Sequence, residues 1–364
     1  MKTTAIIKGL VLSKFFGVPF YCKVYVTRRC DLRCRMCSVW KHADRKSEMD
    51  LEGFQKVAET LRRLRVPTVV ITGGEPFLRP DLSQIVSIFS KSGFSVRLQT
   101  NGGCLVTNER LKEVIEAGVD DINISLDSLY PEKHDAICQA EGVWENAVES
   151  IKYAVSELPH GIVGAATTIT SQNIDELPEL IRFVDSLGAF SLPLPVMLQR
   201  DTGSGNLFRG YSEGLELDTI DPDTVDRVFS EILRMKKSGV KVLFPGSFLK
   251  KMAEIIKTQN IKWSCDAGQL YFIVLPDGSV SPCDDILPIS HMIEEDFFAV
   301  YHSKDYKKKV SRIQASCEGC VHGCWREVSG LIHSNQVLLE HVITFFSTHL
   351  SPLSRVPYFV KSKT

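Results

Sequence analysis

Hydrophobic positions between residues 23 and about 197 alternate between two patterns. Short runs rich in Val, Ile, Leu or Thr, at Lys23–Thr27, Thr68–Thr72, Phe94–Thr100, Asp120–Leu126, Gly161–Ile169 and Ala189–Met197, have the composition of buried strands. Between them apolar residues recur at helical spacing. Leu51, Phe54, Val57, Ala58, Leu61 and Leu64 form one stripe; Leu177, Leu180, Ile181, Val184 and Leu187 form another, with Asn173 as its N-cap and Gly188 just past its end. Such alternation predicts parallel strands joined by crossover helices. Six units predict an α/β fold with a partial (β/α)6 TIM-type barrel, since the rhythm fades before the roughly 250 residues of a full one.

Beyond the barrel, Arg200–Asp218 is rich in Gly and polar residues and reads as a loop or linker. Asp223–Lys237 and Ser247–Lys257 read as helices, and Leu270–Leu275 and Ser279–Ser281 as a hairpin turned by Pro276-Asp277-Gly278. The hairpin lies in a small module, residues 263–327, that holds five of the eleven cysteines. The expected division is therefore 1–22, an N-terminal amphipathic segment; 23–200, the barrel; 201–262, linker and helices; 263–327, the cysteine module; and 328–364, a tail.

Composition narrows the function. With 364 residues, 44% of them hydrophobic, the chain can bury a substantial core. Lys and Arg number 43 against 44 Asp and Glu, so no global basic field favours nucleic acid. No apolar run reaches the roughly 20 residues of a membrane span, and no signal-peptide pattern opens the chain, so a cytoplasmic protein is expected. Eleven cysteines are too many for a reducing compartment unless most of them do chemistry.

Cys30, Cys34 and Cys37 follow the first strand within eight residues. Three thiolates around a four-iron cubane leave one iron open for an external ligand, whereas structural zinc wants four ligands. Gly73-Gly74-Glu75-Pro76 follows the second strand, where two glycines permit close approach to the backbone and a carboxylate suits an ammonium group. Thr100-Asn101-Gly102 and Ser125-Leu126-Asp127 close strands three and four, so all four loops share the carboxyl face on which barrel enzymes bind substrates. Taken singly, these last residues are also ordinary caps and turns.

The C-x3-C-x2-C loop and the Gly-Gly-Glu-Pro loop resemble those of the radical S-adenosylmethionine (SAM) superfamily. The resemblance implies a SAM-binding [4Fe-4S] cluster on Cys30, Cys34 and Cys37. It implies that Gly73, Gly74, Glu75 and Pro76 bind the methionyl amino group, and that Thr100, Asn101, Ser125 and Asp127 contact the carboxylate or ribose hydroxyls of SAM. Met36 would lie near the adenine, and Thr168 and Asn173 are weaker candidates. The implied chemistry is reductive cleavage of SAM to a 5'-deoxyadenosyl radical that abstracts hydrogen from substrate, with the cofactor carrying the hard step. An electron donor such as flavodoxin or ferredoxin is implied.

In the module, Cys265, Gly268, Gly278 and Cys283 fit C-x2-G-x9-G-x4-C, and Cys317, Cys320 and Cys324 follow as C-x2-C-x3-C. This resembles the SPASM and twitch modules of the same superfamily. Five cysteines instead of seven imply one auxiliary [4Fe-4S] cluster, on Cys265, Cys283, Cys317 and Cys320, with Cys324 as alternate. A zinc knuckle shares the spacing and stays open. Cys22, Cys104 and Cys138 fit neither pattern and are expected as buried or half-buried thiols.

The substrate is open among peptide, sugar or alcohol, cofactor precursor and lipid. Only about 22 residues precede the barrel, which lowers the peptide reading. The apolar, Lys-studded Met1–Tyr21 and the apolar Val337–Leu350 fit either peripheral membrane contact or helices packed on the barrel. The competitor from another class is a non-catalytic metal-binding or electron-transfer protein on the same scaffold.

Overall fold

The computed structural model describes residues 2–44, 47–197 and 214–340; the side chains at 2–6, 324 and 325 fall outside that description. Helix α1 (Lys2–Phe16) leads into β1 (Tyr21–Thr27), followed by α2 (Leu51–Arg63), β2 (Thr68–Gly73), α3 (Leu82–Lys91), β3 (Ser95–Thr100), α4 (Asn108–Glu116) and β4 (Asp121–Ser125). Then come α5 (Pro131–Cys138), α6 (Val143–Glu157), β5 (Val163–Ile169), α7 (Leu177–Ser186) and β6 (Phe190–Pro195). The six strands pair in parallel and in chain order, within two residues of the expected bounds at each end. β1 and β6 do not pair, so the barrel is open. Every residue of β1 is buried, Lys23 included, as in a strand covered on both faces.

Two helices beyond the barrel, α8 (Pro222–Lys237) and α9 (Gly246–Thr258), pack with α7 around Val228, Phe229, Ile232 and Met252. Residues 241–243 run beside β6, with Ser191 N donating to Lys241 O and Leu243 N to Ser191 O, and so cover part of its free edge. The expected hairpin is present as β7 (Tyr271–Val274) and β8 (Ser279–Ser281), extended by β9 (Ser290–His291). Its first strand also joins the barrel sheet, parallel to β1 from Tyr21↔Tyr271 to Val24↔Val274. Helices α10 (Phe297–His302), α11 (Lys304–Ser316) and α12 (Gly323–His333) follow, and residues 335–340, the last described, are helical too.

Asn173 departs from its expected role. It precedes a single 3-10 turn, Ile174–Glu176, and its side chain bonds Thr170 N, Asp127 O and Thr168 O, so α7 starts behind Glu176 instead. Gly188 does end α7, at φ 88°. Most of the Arg200–Asp218 loop, and Val337–Leu350 past residue 340, lie outside the described residues. Among the described residues no helix is long and apolar enough to cross a membrane.

The joint between barrel and module contains a buried ion pair. Lys23 Nζ on β1 lies 3.2 and 3.1 Å from the two carboxylate oxygens of Asp284, just past Cys283. Tyr25 donates to the same carboxylate, and His322 Nε2 lies 2.9 Å from it. Burial opposes the charge on Asp284, but Lys23, His322 and Tyr25 more than offset it and hold its pKa well below the usual carboxylate range. A depressed pKa contributes stability above the unfolded value and loses it as pH falls toward the folded one. Asp284→Asn strands Lys23 in the interior, at an expected cost of about 3–5 kcal/mol. Thermal melts at neutral pH should show the loss, and the gap between the two proteins should narrow below about pH 4.

Candidate functional site

The loop bearing Cys30, Cys34 and Cys37 leaves the carboxyl end of β1 and is held from several sides. The N–H groups of Arg33 and Arg35 donate to Cys138 O and Ile137 O at the end of α5. Arg33 turns back onto Cys30 O and Leu32 O and stacks on Trp40, whose indole N–H donates to Cys37 O at 3.0 Å. At the base, Glu48 accepts from Thr27 and Arg29 and pairs with Arg79. Burial pushes up the pKa of Cys30 and also that of Cys37, the latter to about 11. Cys34, within electrostatic reach of both, is pushed up first by a hydrogen bond with Cys138 and then by burial. Three such thiols stay protonated until a metal's charge displaces the proton.

Cys138 is buried, packs beside Cys30 and Cys34, and has its sulfur 3.7 Å from His134 Nε2. Cys22 is also buried, as expected, but Cys104 is exposed, against the expectation of a buried or half-buried thiol, because it lies on the loop after β3.

The two glycines at the end of β2, Gly73 and Gly74, serve the contact between loops. A Cβ on Gly73 would lie 2.2 Å from Thr27 O, and one on Gly74 would lie 2.1 Å from Arg29 O. With no side chains in the way, Gly74 N donates to Thr27 O and Glu75 N to Arg29 O, both at 2.8 Å, which ties the cysteine loop to the end of β2. Glu75 is fully buried. Its carboxylate accepts from Phe77 N (2.9 Å), Thr100 Oγ1 (2.9 Å) and Asn101 N (2.8 Å), joining the ends of β2 and β3.

Burial pushes the pKa of Glu75 up to about 7 against these hydrogen bonds, and the charge acting on it is another carboxyl, Asp31. Asp31 Oδ1 accepts from Asn101 Nδ2 at 2.8 Å, whereas Oδ2 is buried without a hydrogen-bond partner. An orphaned carboxylate oxygen beside a second buried carboxyl is an imbalance that a cationic ligand relieves, so this corner fits the ammonium and sulfonium of SAM. Sequence reasoning missed Asp31. Its signal was its place directly after the first cysteine.

Of the other candidates, Asn101 contacts the cysteine loop, with Nδ2 3.8 Å from Cys30 Sγ and Oδ1 accepting from Gly103 N. Thr100 is buried, and Ser125 Oγ donates to Thr100 O at 3.4 Å. The Asp127 carboxylate accepts from Thr168 N at 2.6 Å and so is engaged in tying β4 to β5. Met36 is half-buried against the core under α8 and α9.

In the module, Cys265 is within electrostatic reach of Cys317 and Cys320, and Cys283 of Cys320, so the four proposed auxiliary thiols converge. The Cys324 side chain lies outside the described residues. Tyr271 OH is 3.1 Å from Cys265 Sγ, and Gly319 N donates to Cys317 Sγ at 3.4 Å. Arg326 stacks on Trp263 and donates to Cys320 O and Ile261 O, clamping the knuckle. The glycines of the spacing motif, Gly268 and Gly278, both have positive φ, at 80° and 90°. Among the described residues no three His, Cys, Asp or Glu side chains close to the spacing of a single-ion site. A cavity of about 450 Å³ opens beside the module, lined by Phe248, Met252, Trp263, Arg326 and His333, but no residue of the Cys30 loop lines it.

The sequence matches the Radical SAM superfamily domain over residues 24–184 and a SPASM iron–sulfur cluster-binding domain over residues 265–325. The chain belongs to the radical SAM superfamily and is a radical SAM enzyme, with SAM, a [4Fe-4S] cluster and an auxiliary iron–sulfur centre as its cofactors. It is 27% identical over 273 residues to a tungsten-containing aldehyde ferredoxin oxidoreductase cofactor-modifying protein of Pyrococcus furiosus, a match covering 72% of this chain and 70% of that one. It is 32% identical over 187 residues to the pre-heme d1 synthase of Dinoroseobacter shibae, covering 51% of this chain and 45% of the relative. The structure of Streptococcus suis SuiB superposes with a TM-score of 0.64 at 14% identity, over 85% of this chain and 71% of SuiB, a likeness of fold.

Gly74→Ala should drive a methyl group into Arg29 O and cost most of the cluster loading, read as iron bound per chain. Because the Glu75 carboxylate must ionise to meet a cation, SAM should bind more tightly as pH rises through about 7, and Glu75→Gln should flatten that dependence in equilibrium binding.

Proposed function

We propose that Cys30, Cys34 and Cys37 hold the SAM-binding cluster and that Glu75, Asp31 and the backbone of Gly73–Pro76 receive the SAM ammonium, with Thr100, Asn101, Ser125, Asp127 and Met36 around the remainder. The observation that carries this reading is the unbalanced Asp31–Glu75 carboxyl pair beside the cysteine loop. When bound, the cluster and SAM supply a 5'-deoxyadenosyl radical that takes a hydrogen atom from the substrate. The chain's own residues position and shield: Asn101 spans Asp31 and Cys30, and Glu75 fixes the ends of two strands.

Residues 23–200 form the SAM-cleaving unit in this reading, and residues 263–327 the auxiliary one, with Cys265, Cys283, Cys317 and Cys320 as ligands and Cys324 spare. Four thiolates close a cluster, which suits electron removal from a substrate radical and a net two-electron oxidation. The Tyr271 hydroxyl and the Gly319 N–H beside two of the sulfurs favour the reduced state, as an electron acceptor needs. A flavodoxin or ferredoxin supplies the reducing electron to the first cluster. The names of the Pyrococcus and Dinoroseobacter relatives favour a small cofactor precursor as substrate.

Anaerobic reconstitution should give about eight irons per chain, falling to about four in a Cys30→Ala/Cys34→Ala/Cys37→Ala variant. The reduced parent should form 5'-deoxyadenosine from SAM. None formed with the first cluster loaded would sink the enzymatic reading in favour of an electron-transfer protein, and zinc in the remaining site would make the module structural.

A further inference from the structure

Helix α1 is apolar on more than one side, and the fold covers only part of it. A Cβ on Gly9 would meet the ring of Pro67 at 2.4 Å, Ser13 is buried, and Leu10 packs on the core around Tyr21 and Tyr271. Lys14 pins the far end by donating to Ile332 O at 2.9 Å. Pro67 precedes β2, so α1 lies across the end of the barrel where the strands begin, away from the cysteine loop.

The outward side carries Ile7, Val11 and Phe15, each one turn from the last and 55%, 48% and 71% exposed, with Phe16 beside them at 73%. These are four of the seven large hydrophobic residues exposed among those described, so the patch is concentrated on one helix.

A second feature adjoins this stripe. Lys8 on α1 and Arg62 and Arg65 at the end of α2 line a cavity of about 410 Å³ floored by Gly9, Leu12 and Pro67. All three cations are exposed, and none makes an ion pair among the described residues. Nearby Arg63, by contrast, pairs with Asp296. Helix α1 is not itself two-faced, since its apolar residues are spread round it, so the charge comes mostly from the neighbouring Arg62 and Arg65: the stripe supplies apolar area to bury and the hollow an attraction to anionic lipid.

We propose that α1 is a peripheral anchor for an anionic membrane surface. Ile7, Val11, Phe15 and Phe16 enter the acyl boundary, and Lys8, Arg62 and Arg65 take up lipid phosphates. Docked this way, the SAM loops at the opposite end of the strands face water. The anchor therefore sets where the enzyme works and is not the route by which substrate enters.

The test is co-sedimentation of the full chain with vesicles of phosphatidylcholine alone or containing about 30% phosphatidylglycerol. Binding is expected to the anionic vesicles only, weakened by salt, and reduced about tenfold or more both in Phe15→Glu/Phe16→Glu and in Arg62→Gln/Arg65→Gln. Both variants alter exposed side chains, so 5'-deoxyadenosine formation and near-UV circular dichroism should match the parent and exclude misfolding. Anionic binding no greater than neutral binding, or variants that bind as the parent does, would overturn the proposal. So would sedimentation equilibrium showing a dimer that Phe15→Glu/Phe16→Glu breaks, with no vesicle binding, since the stripe would then belong to a second copy of the chain.

Discussion

β1 is hydrogen-bonded along both edges, to β2 on one side and to β7 on the other, and the Lys23–Asp284 pair ties the second contact down in the interior. Both cysteine sets depend on this strand. The first loop begins at its carboxyl end, while Cys283 and the knuckle residue His322 flank the carboxylate that Lys23 and Tyr25 hold. A strand paired in parallel on both edges cannot slip by one residue without turning every side chain to the wrong face. The placement of the two cysteine-bearing segments relative to each other is thus set by backbone register.

Around the SAM corner the same economy recurs in the loops. Each strand end is braced by the next: the cysteine loop by Gly74 and Glu75, Glu75 by Thr100 and Asn101, and Asp127 by Thr168. Residues with ligand-like chemistry therefore also hold the face together, and among the described residues of the cysteine loop and the ends of β2 and β3 the Asp31 carboxylate oxygen that lacks a hydrogen-bond partner stands out against that background. Rigid elements presenting a small unsatisfied set of groups are what positional catalysis needs.

The six barrel strands and most of their helices were legible because each depends on local periodicity, and so was the Cys30, Cys34 and Cys37 set, which sits in one short loop. What was not legible depends on contacts distant in sequence. Nothing near Lys23 announces Asp284, 261 residues away, and nothing in the Leu270–Leu275 run distinguishes a hairpin strand from one that also extends the barrel sheet. Asn173 looked like a cap because Asn usually is one, but its amide found Asp127 O and Thr168 O across the sheet. The role of the glycines at the end of β2 was half visible: close approach was foreseen, but the partner is the chain's own backbone at Thr27 and Arg29.

The knuckle is tethered by contacts that involve no sulfur ligation. Asp284 holds His322, and Arg326 grips Cys320 O and Ile261 O. In a zinc finger the metal organises the fold, and removing it unravels the chain. Here Asp284 and Arg326 add contacts of their own to the knuckle, so its fold does not rest on sulfur ligation alone. Losing one thiol there would remove a sulfur from the module and still leave these tethers in the chain.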